Sequence, residues 1–272
     1  MQEPNTFEGP LTGHAAGVPF VAVPPANGPR RDAPAVVAWH LFDAPRTEAA
    51  FAAALPLDGL DAWRIYFGLP MSGSRVPAGG GEEVMRLSYE DVVLNVYEPV
   101  LDAAVREFAP AYAELRERLG FGDGPLGALG GSIGAVVAQL VVAEAGMDFA
   151  AAVLVSPVVR MRDTVAAGER RFGTRYAWSP RAEAFADRID FVARADDLAG
   201  AAVLLVVGED DDPGFREPAA ALAAALSPRS EVVVVPGMGH ALADEPGIEA
   251  APQTPHAAVV DRRAVAWFER HL

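Results

Sequence analysis

A serine framed as Gly130-Gly131-Ser132-Ile133-Gly134 has the G-x-S-x-G spacing that suits an activated nucleophile. The apolar run Leu126 to Leu129 precedes it, and a small-residue helical run, Ala135 to Ala145, follows. Where a strand turns sharply into a helix, the backbone closes on itself. Side chains two positions either side of the turn residue would clash, so glycine stands at 130 and 134. Such a serine projects from the carboxyl end of a sheet. The next N–H, on Ile133, opens a helix and points where an oxyanion would develop. The pentapeptide by itself also fits a plain Gly-rich turn or a phosphate-binding loop; the strand before it and the helix after it favour the nucleophile.

Serine is a weak nucleophile at neutral pH and needs a base. There are five histidines. His14 precedes the main strand–helix rhythm, His271 is one residue from the end, and His256 suits a cap or a surface position. His240 stands in Pro236-Gly237-Met238-Gly239-His240, directly after the apolar run Val232 to Val235. Gly-rich loops at the carboxyl ends of strands are where catalytic groups collect in open α/β sheets. Alone, this histidine would be read as a solvated loop residue; beside the serine turn it is the expected base. An imidazole base in turn needs an acid to hold its tautomer. The run Gly208-Glu209-Asp210-Asp211-Asp212-Pro213 follows the apolar strand Ala202 to Val207 and supplies candidates. A solvated turn, a helix cap cluster and a divalent-cation site are the other readings of that run; consecutive carboxylates rarely converge on one ion, so no metal is expected.

The elements that must position these groups follow a rhythm. Ala35–Trp39 and Trp63–Leu69 read as strands, as do Leu126–Leu129, Ala150–Val155, Ala202–Val207 and Glu231–Val235. Arg46–Leu55, Ala135–Ala145, Phe215–Leu226 and Ala257–His271 read as helices, and Pro70–Gly81 as a Gly-rich loop. Tyr89–Leu119 has helical spacing, with breaks expected near Pro99 and Pro110. Residues 1–34 suggest edge strands with tight turns. Strands alternating with helices predict an α/β fold: a mostly parallel, doubly wound sheet covered by helices on both faces. More than forty residues separate the strands at 155 and 202, far more than a crossover needs. Residues 157–200 are therefore expected to form a small helical cap insertion over a core of residues 1–156 and 201–272; one crossover helix with a surface loop is the alternative.

Composition excludes several classes. The length suits one α/β domain, and 51% hydrophobic residues suffice for its core. A net charge of −15 without a basic block argues against a nucleic-acid or anionic-membrane partner. The absence of cysteine removes disulfides, thiolate metal sites and a cysteine nucleophile. The polar, acid-bearing start MQEPNTFEGP lacks the features of a signal peptide, and no run approaches a membrane span, so a soluble cytoplasmic protein is expected.

With its serine turn at 130–134, acid turn at 208–212 and histidine loop at 237–240, the chain resembles the α/β-hydrolase superfamily over roughly residues 18–272, on the side of acyl-peptide-hydrolase-like serine hydrolases and small esterases. The resemblance implies the chain order Ser, Asp, His, with the acid three residues after the glycine of its turn, at Asp211. It implies a second oxyanion donor in the loop after Trp39, where relatives carry His-Gly-x. Here the loop reads His40-Leu41-Phe42, so the donor is the Phe42 N–H and Leu41 replaces the glycine. It also implies hydrolysis of an ester, thioester or amide without a cofactor.

Together these readings give a serine hydrolase acting on a small acyl substrate through Ser132, His240 and Asp211, with oxyanion contacts from Phe42 and Ile133. Trp39, Leu41 and Trp178, with Phe42, are candidates for an apolar substrate pocket, although aromatics serve a core equally well. A simple ester leads over a peptide, lactone or thioester, because no charged amine anchor stands out. A ligand-binding protein without turnover remains the alternative from outside enzymology.

Overall fold

Short β-branched and alanine-rich runs, most of them separated by helices, assemble one mixed sheet. The computed structural model describes residues 9–272; residues 1–8, most of the stretch examined for a leader, lie outside them. The strands are β1 (Leu11–Ala15), β2 (Val18–Val23), β3 (Ala35–Trp39), β4 (Trp63–Phe67), β5 (Leu126–Gly131), β6 (Ala151–Val155), β7 (Ala202–Gly208) and β8 (Ser230–Val235). Their spatial order is β1-β2-β4-β3-β5-β6-β7-β8. The pairs β1–β2 and β2–β4 are antiparallel, and every other pair is parallel. The expected α/β fold is thus observed, with an antiparallel hairpin at one edge.

The helices are α1 (Glu48–Ala54), α2 (Gly80–Val92), α3 (Glu98–Leu119), α4 (Ile133–Glu144), α5 (Met161–Phe172), α6 (Pro180–Arg188), α7 (Pro213–Leu226) and α8 (Pro255–His271). Period-two alternation along the strands divides the core into two layers. Val36, Ala38, Leu129, Val153 and Leu204 pack with Phe51 of α1 and with Val260, Ala264 and Phe268 of α8. Val37, Trp39, Ala128, Leu154 and Leu205 face the other way, onto Phe108 of α3, Val136 and Leu140 of α4 and Leu222 of α7. A strand covered on both faces must be apolar throughout, which is why β3, β5, β6 and β7 carry no charged residue.

The structure departs from the sequence reading between β4 and β5. Helix α2 begins at Gly80, nine residues earlier than expected, and Asp91 near its end leaves the helical region at φ −164°, ψ 94°. A π-helical turn, Val93–Tyr97, then leads into α3. Pro99 falls in the first turn of α3, where its missing N–H costs nothing, and Pro110 is accommodated within the helix. The break therefore lies at Asp91 and the π turn, upstream of both prolines.

Residues 157–200 hold α5, α6 and a 3-10 turn at Ala195–Leu198. Val159, Met161, Phe185, Ile189, Phe191 and Leu198 of this segment are buried in the same apolar layer as α3 and α4. The segment shares the core of the sheet, and its outer edge, around Tyr176 and Trp178, rises toward α2.

Tight backbone contacts at the serine turn give a stability test. A Cβ on Gly134 would press on the backbone carbonyl oxygens of Trp39 and His40, which cannot yield as a side chain would. Gly168, inside α5, has open space in the Cβ direction. Gly134→Ala is expected to destabilise the fold by roughly 3 kcal/mol, and Gly168→Ala to stabilise it by about 0.5–1 kcal/mol, both read from urea unfolding. Equal effects at the two sites would contradict the contact.

Candidate active site

Ser132 sits between β5 and α4 at φ 49°, ψ −115°, a left-handed conformation that costs a non-glycine residue on the order of 1–3 kcal/mol. The strand expected to end at Leu129 continues to Gly131, and α4 starts at Ile133, so the turn has no slack. The Ser132 N–H donates to the Val155 carbonyl on β6. A Cβ on Gly130 would meet the backbone of Gly134, and one on Gly131 would meet the Leu41 side chain. The glycine at 131 is therefore explained by Leu41, in the neighbouring loop.

The acid and base arrive from the next strands. Gly208, the last residue of β7, lies so close to the carbonyls of Met238 and Gly239 that a Cβ would not fit. The Asp210 N–H donates to the Met238 carbonyl at 2.9 Å and the Glu209 N–H to Val235 at 3.0 Å, tying the two loops together. Across this seam His240 Nδ1 donates to the Asp211 carboxylate, at 2.9 Å to Oδ2 and 3.1 Å to Oδ1. Its Nε2 lies 2.8 Å from Ser132 Oγ, positioned to accept the hydroxyl proton. Asp211 is buried, and the Asp212 N–H donates to Oδ1 at 2.8 Å. The Phe215 ring lies 4.2 Å from the imidazole centroid. Sequence candidates separated by 108 residues thus form one hydrogen-bonded chain.

The remaining acids of the run serve other ends. Glu209 accepts from the Gly237 N–H. Asp212 caps α7 through the Gly214 N–H and pairs with Arg170 at 2.6 Å. No group of three or more His, Cys, Asp or Glu residues suited to a metal ion occurs among the described residues, and no helix among them is long and apolar enough to cross a membrane.

The loop after β3 is held by a residue to which the sequence reading gave no role. His40 is fully buried; its Nδ1 donates to the Leu41 carbonyl at 2.7 Å, and its Nε2 accepts from the Leu69 N–H at 3.0 Å. Both bonds require the neutral ring. Leu41 takes a conventional φ, so no glycine is needed there, and the Phe42 N–H has no acceptor among the loop hydrogen bonds of the described residues. A signal was present in the sequence, since a histidine inside an otherwise apolar segment, Ala35 to Phe42, must have partners if buried.

Two of the four expected pocket residues, Trp39 and Leu41, are core. Trp39 is buried against Phe67, with centroids 6.0 Å apart, and against Phe108 at 5.5 Å. Its place in the strand's alternation turns it into the helical layer. Leu41 is fully buried above Gly131. Trp178 is half-buried, packed edge-on to Tyr176 at 4.8 Å with Arg162 over its face. It stands behind a cavity of about 220 Å³ whose walls include Met85, Tyr89, Val92, Tyr97, Val165, Phe172 and Tyr176. Met85, Tyr89 and Phe172 are large apolar side chains exposed at this site. The sequence reading missed the α2 wall, though Glu82 and Glu83 in the first turn and the Glu83–Arg86–Glu90 pairs mark a helix start and face. The two walls are joined where the Tyr176 hydroxyl donates to Asp91 at 2.6 Å.

A mostly parallel sheet with a left-handed serine between its fifth strand and the following helix defines an α/β-hydrolase, a class of serine hydrolases. A sequence profile of the prolyl oligopeptidase family matches residues 101–272, and the chain belongs to that family. No curated protein matches the sequence. Among solved structures, the fold is similar to TT1662 from Thermus thermophilus, at 19% identity and a TM-score of 0.64, covering 97% of this chain and 98% of that one. It is similar to a puromycin-hydrolyzing peptidase of Mycobacterium tuberculosis, at 18% identity and a TM-score of 0.62, covering 97% of this chain but only 39% of the peptidase. It is also similar to carboxyl esterase 2 of the mycorrhizal fungus Tuber melanosporum, at 17% identity and a TM-score of 0.54, covering 100% and 89%.

The buried His40 makes the loop after β3 sensitive to acid. Burial pushes His40 down to about 4, partly opposed by its bond to Leu41, whereas in the unfolded chain it titrates near 6.5. The unfolded state therefore takes up the proton first, and stability falls as pH drops from about 6.5 toward 4. Between pH 7.5 and 5.0 the wild type is expected to lose roughly 2 kcal/mol of unfolding free energy that His40→Gln does not lose. Parallel pH profiles for the two proteins would contradict this.

Proposed function

We propose that the protein is a carboxylesterase-type hydrolase that cleaves small acyl substrates through an acyl-enzyme on Ser132. The observation that carries the reading is the unbroken hydrogen-bonded chain Asp211–His240–Ser132. In the proposed mechanism Ser132 Oγ attacks the carbonyl carbon while its proton passes to His240 Nε2. Asp211 holds the imidazole in the Nδ1–H tautomer and stabilises the imidazolium. The N–H groups of Ile133 and Phe42 receive the oxyanion. The tetrahedral intermediate collapses, the bond to the leaving group breaks, and Nε2 returns its proton to that group. Water then gives a proton to Nε2 and its oxygen to the acyl carbon, releasing the carboxylic acid and restoring Ser132.

The cavity between α2 and α5, with its apolar walls and mouth, suits the acyl chain, and residues 157–200 together with 80–97 act as the cap that bounds it. Family membership favours a second reading, cleavage of an amide or peptide bond by the same chemistry. A panel of p-nitrophenyl esters of graded chain length beside aminoacyl p-nitroanilides separates the two; turnover of anilides at rates rivalling the esters would transfer the assignment to peptides.

A fluorophosphonate should modify Ser132 stoichiometrically, with the site read by mass spectrometry. Ser132→Ala should fold as the wild type and lose activity by as much as about a million-fold. Modification of another serine, with Ser132 untouched, would remove the assignment.

Among the acids, Asp211→Asn should lower kcat by roughly ten-thousand-fold, because the amide favours the wrong tautomer, while Asp210→Asn stays close to wild type. Near-equal kinetics for the two variants would contradict the role given to Asp211.

A further inference from the structure

We propose that Asp43 makes the enzyme select substrates whose leaving group carries a positive charge. The inference rests on the reaction proposed above, in which His240 Nε2 hands its proton to the departing atom. Whatever lies beside Nε2 therefore flanks the leaving group. Asp43 Oδ2 lies 3.9 Å from Nε2, which is itself 2.8 Å from Ser132 Oγ. Asp43 also follows Phe42 directly, on the loop that offers the oxyanion donor.

A carboxylate in that position favours a cationic leaving group over a neutral or anionic one. Asp43 acts on the oxyanion and on the His240 imidazolium alike for every substrate, so it discriminates through the charge carried by the leaving group. Apart from the His240 imidazolium that forms during the step, no cation of the protein meets this charge among the described residues. The chain has no lysine, and among the described residues no arginine reaches the Asp43 carboxylate. Arg46, three residues on, is held by Glu245 at 2.7 Å, and Arg75 by Glu107 at 2.7 Å. Four other carboxylates near the site or the cavity are engaged: Asp211 with His240, Asp91 with Tyr176, Glu169 with the Tyr176 N–H and Asp212 with Arg170. Among the described residues Asp43 meets only His240, at 3.9 Å, and its side chain is 41% exposed, so a ligand can reach it.

The position also fits the apolar cavity. Tyr97 lines that cavity, and its hydroxyl is pushed up to about 12 by burial, with the Asp43 charge adding to the shift. The Asp43 charge thus acts on a residue of the cavity wall. An apolar acyl chain in the cavity and a cationic leaving group against Asp43 would occupy both at once, leaving the scissile carbonyl at Ser132. An ammonium or quaternary ammonium on the alcohol or amine portion has the required chemistry. A phosphate or carboxylate there would be repelled.

The test uses two isosteric methylphosphonate thioesters, one with a leaving thiol ending in trimethylammonium and one ending in tert-butyl. Each reacts by forming the Ser132 Oγ–P bond and breaking the P–S bond, with the thiol leaving, so the readout does not depend on turnover. Labelling of Ser132 followed by mass spectrometry should be on the order of tenfold faster for the cationic reagent in wild type. In Asp43→Asn the ratio of the two rates should fall to near one, and in Asp43→Glu it should persist. Equal rates for both reagents in wild type, or an unchanged ratio in Asp43→Asn, would overturn the selection by charge while leaving the Ser132 chemistry intact. Failure of both reagents to label Ser132 would overturn the underlying reaction and this inference with it.

Discussion

The site depends on a backbone that passes closer to its neighbours than any side chain allows. Ser132 is left-handed, and the chain on either side of it runs against Trp39, His40 and Leu41 of the loop after β3. Gly134 sits on the carbonyls of Trp39 and His40, and Gly131 beneath Leu41. This contact does two things at once. It holds the serine in a conformation it would not adopt alone, and it seats the loop carrying the Phe42 N–H beside the turn carrying the Ile133 N–H. The same construction recurs at Gly208, which packs on the Met238 and Gly239 carbonyls and so brings Asp211 to His240. Ser132, His240 and Asp211 are held by backbone contacts that only glycine permits.

Polar groups buried around these contacts complete the arrangement. The neutral ring of His40 links the loop after β3 to Leu69 through one donated and one accepted bond. Asp211, beneath the imidazole, accepts from both His240 and the Asp212 N–H. A side chain that fixes a loop by two directed bonds resists the loop motion that would misplace a donor, and a misplaced oxyanion donor costs a serine hydrolase roughly 3–4 kcal/mol of transition-state stabilisation.

Much of this was legible in the sequence because it is local. The serine turn announces itself by glycines two residues away, the acidic run by its place after a strand and the histidine by a glycine loop after a β-branched strand; the choice of Asp211 within its run comes from the family resemblance. The sheet was legible because strands covered on both faces must be apolar from end to end. What was missed depends on partners distant in sequence. The break at Asp91 is a product of contact as well as of local propensity, since Asp91 accepts from the Leu94 N–H and from Tyr176, 85 residues away. The role of His40 requires Leu69, and the burial of Trp39 requires Phe108. Trp39 and Leu41 were expected in a pocket because they stand at the end of a strand near the site, yet strand alternation and the space above Gly131 place them in the core. Asp43 carries no motif at all; only the fold brings it to Nε2.

The central claim is that the turn at Ser132 and the loop after β3 form one oxyanion site, served by His240 and Asp211. A crystal structure of the protein after reaction with a methylphosphonate tests it most directly. Phosphorus should be bonded to Ser132 Oγ, with one phosphonyl oxygen about 2.7–3.1 Å from the N–H groups of both Ile133 and Phe42, and with His240 still bonded to Asp211. An adduct oxygen that reaches Ile133 alone, with Phe42 turned away and no group in its place, would contradict the account.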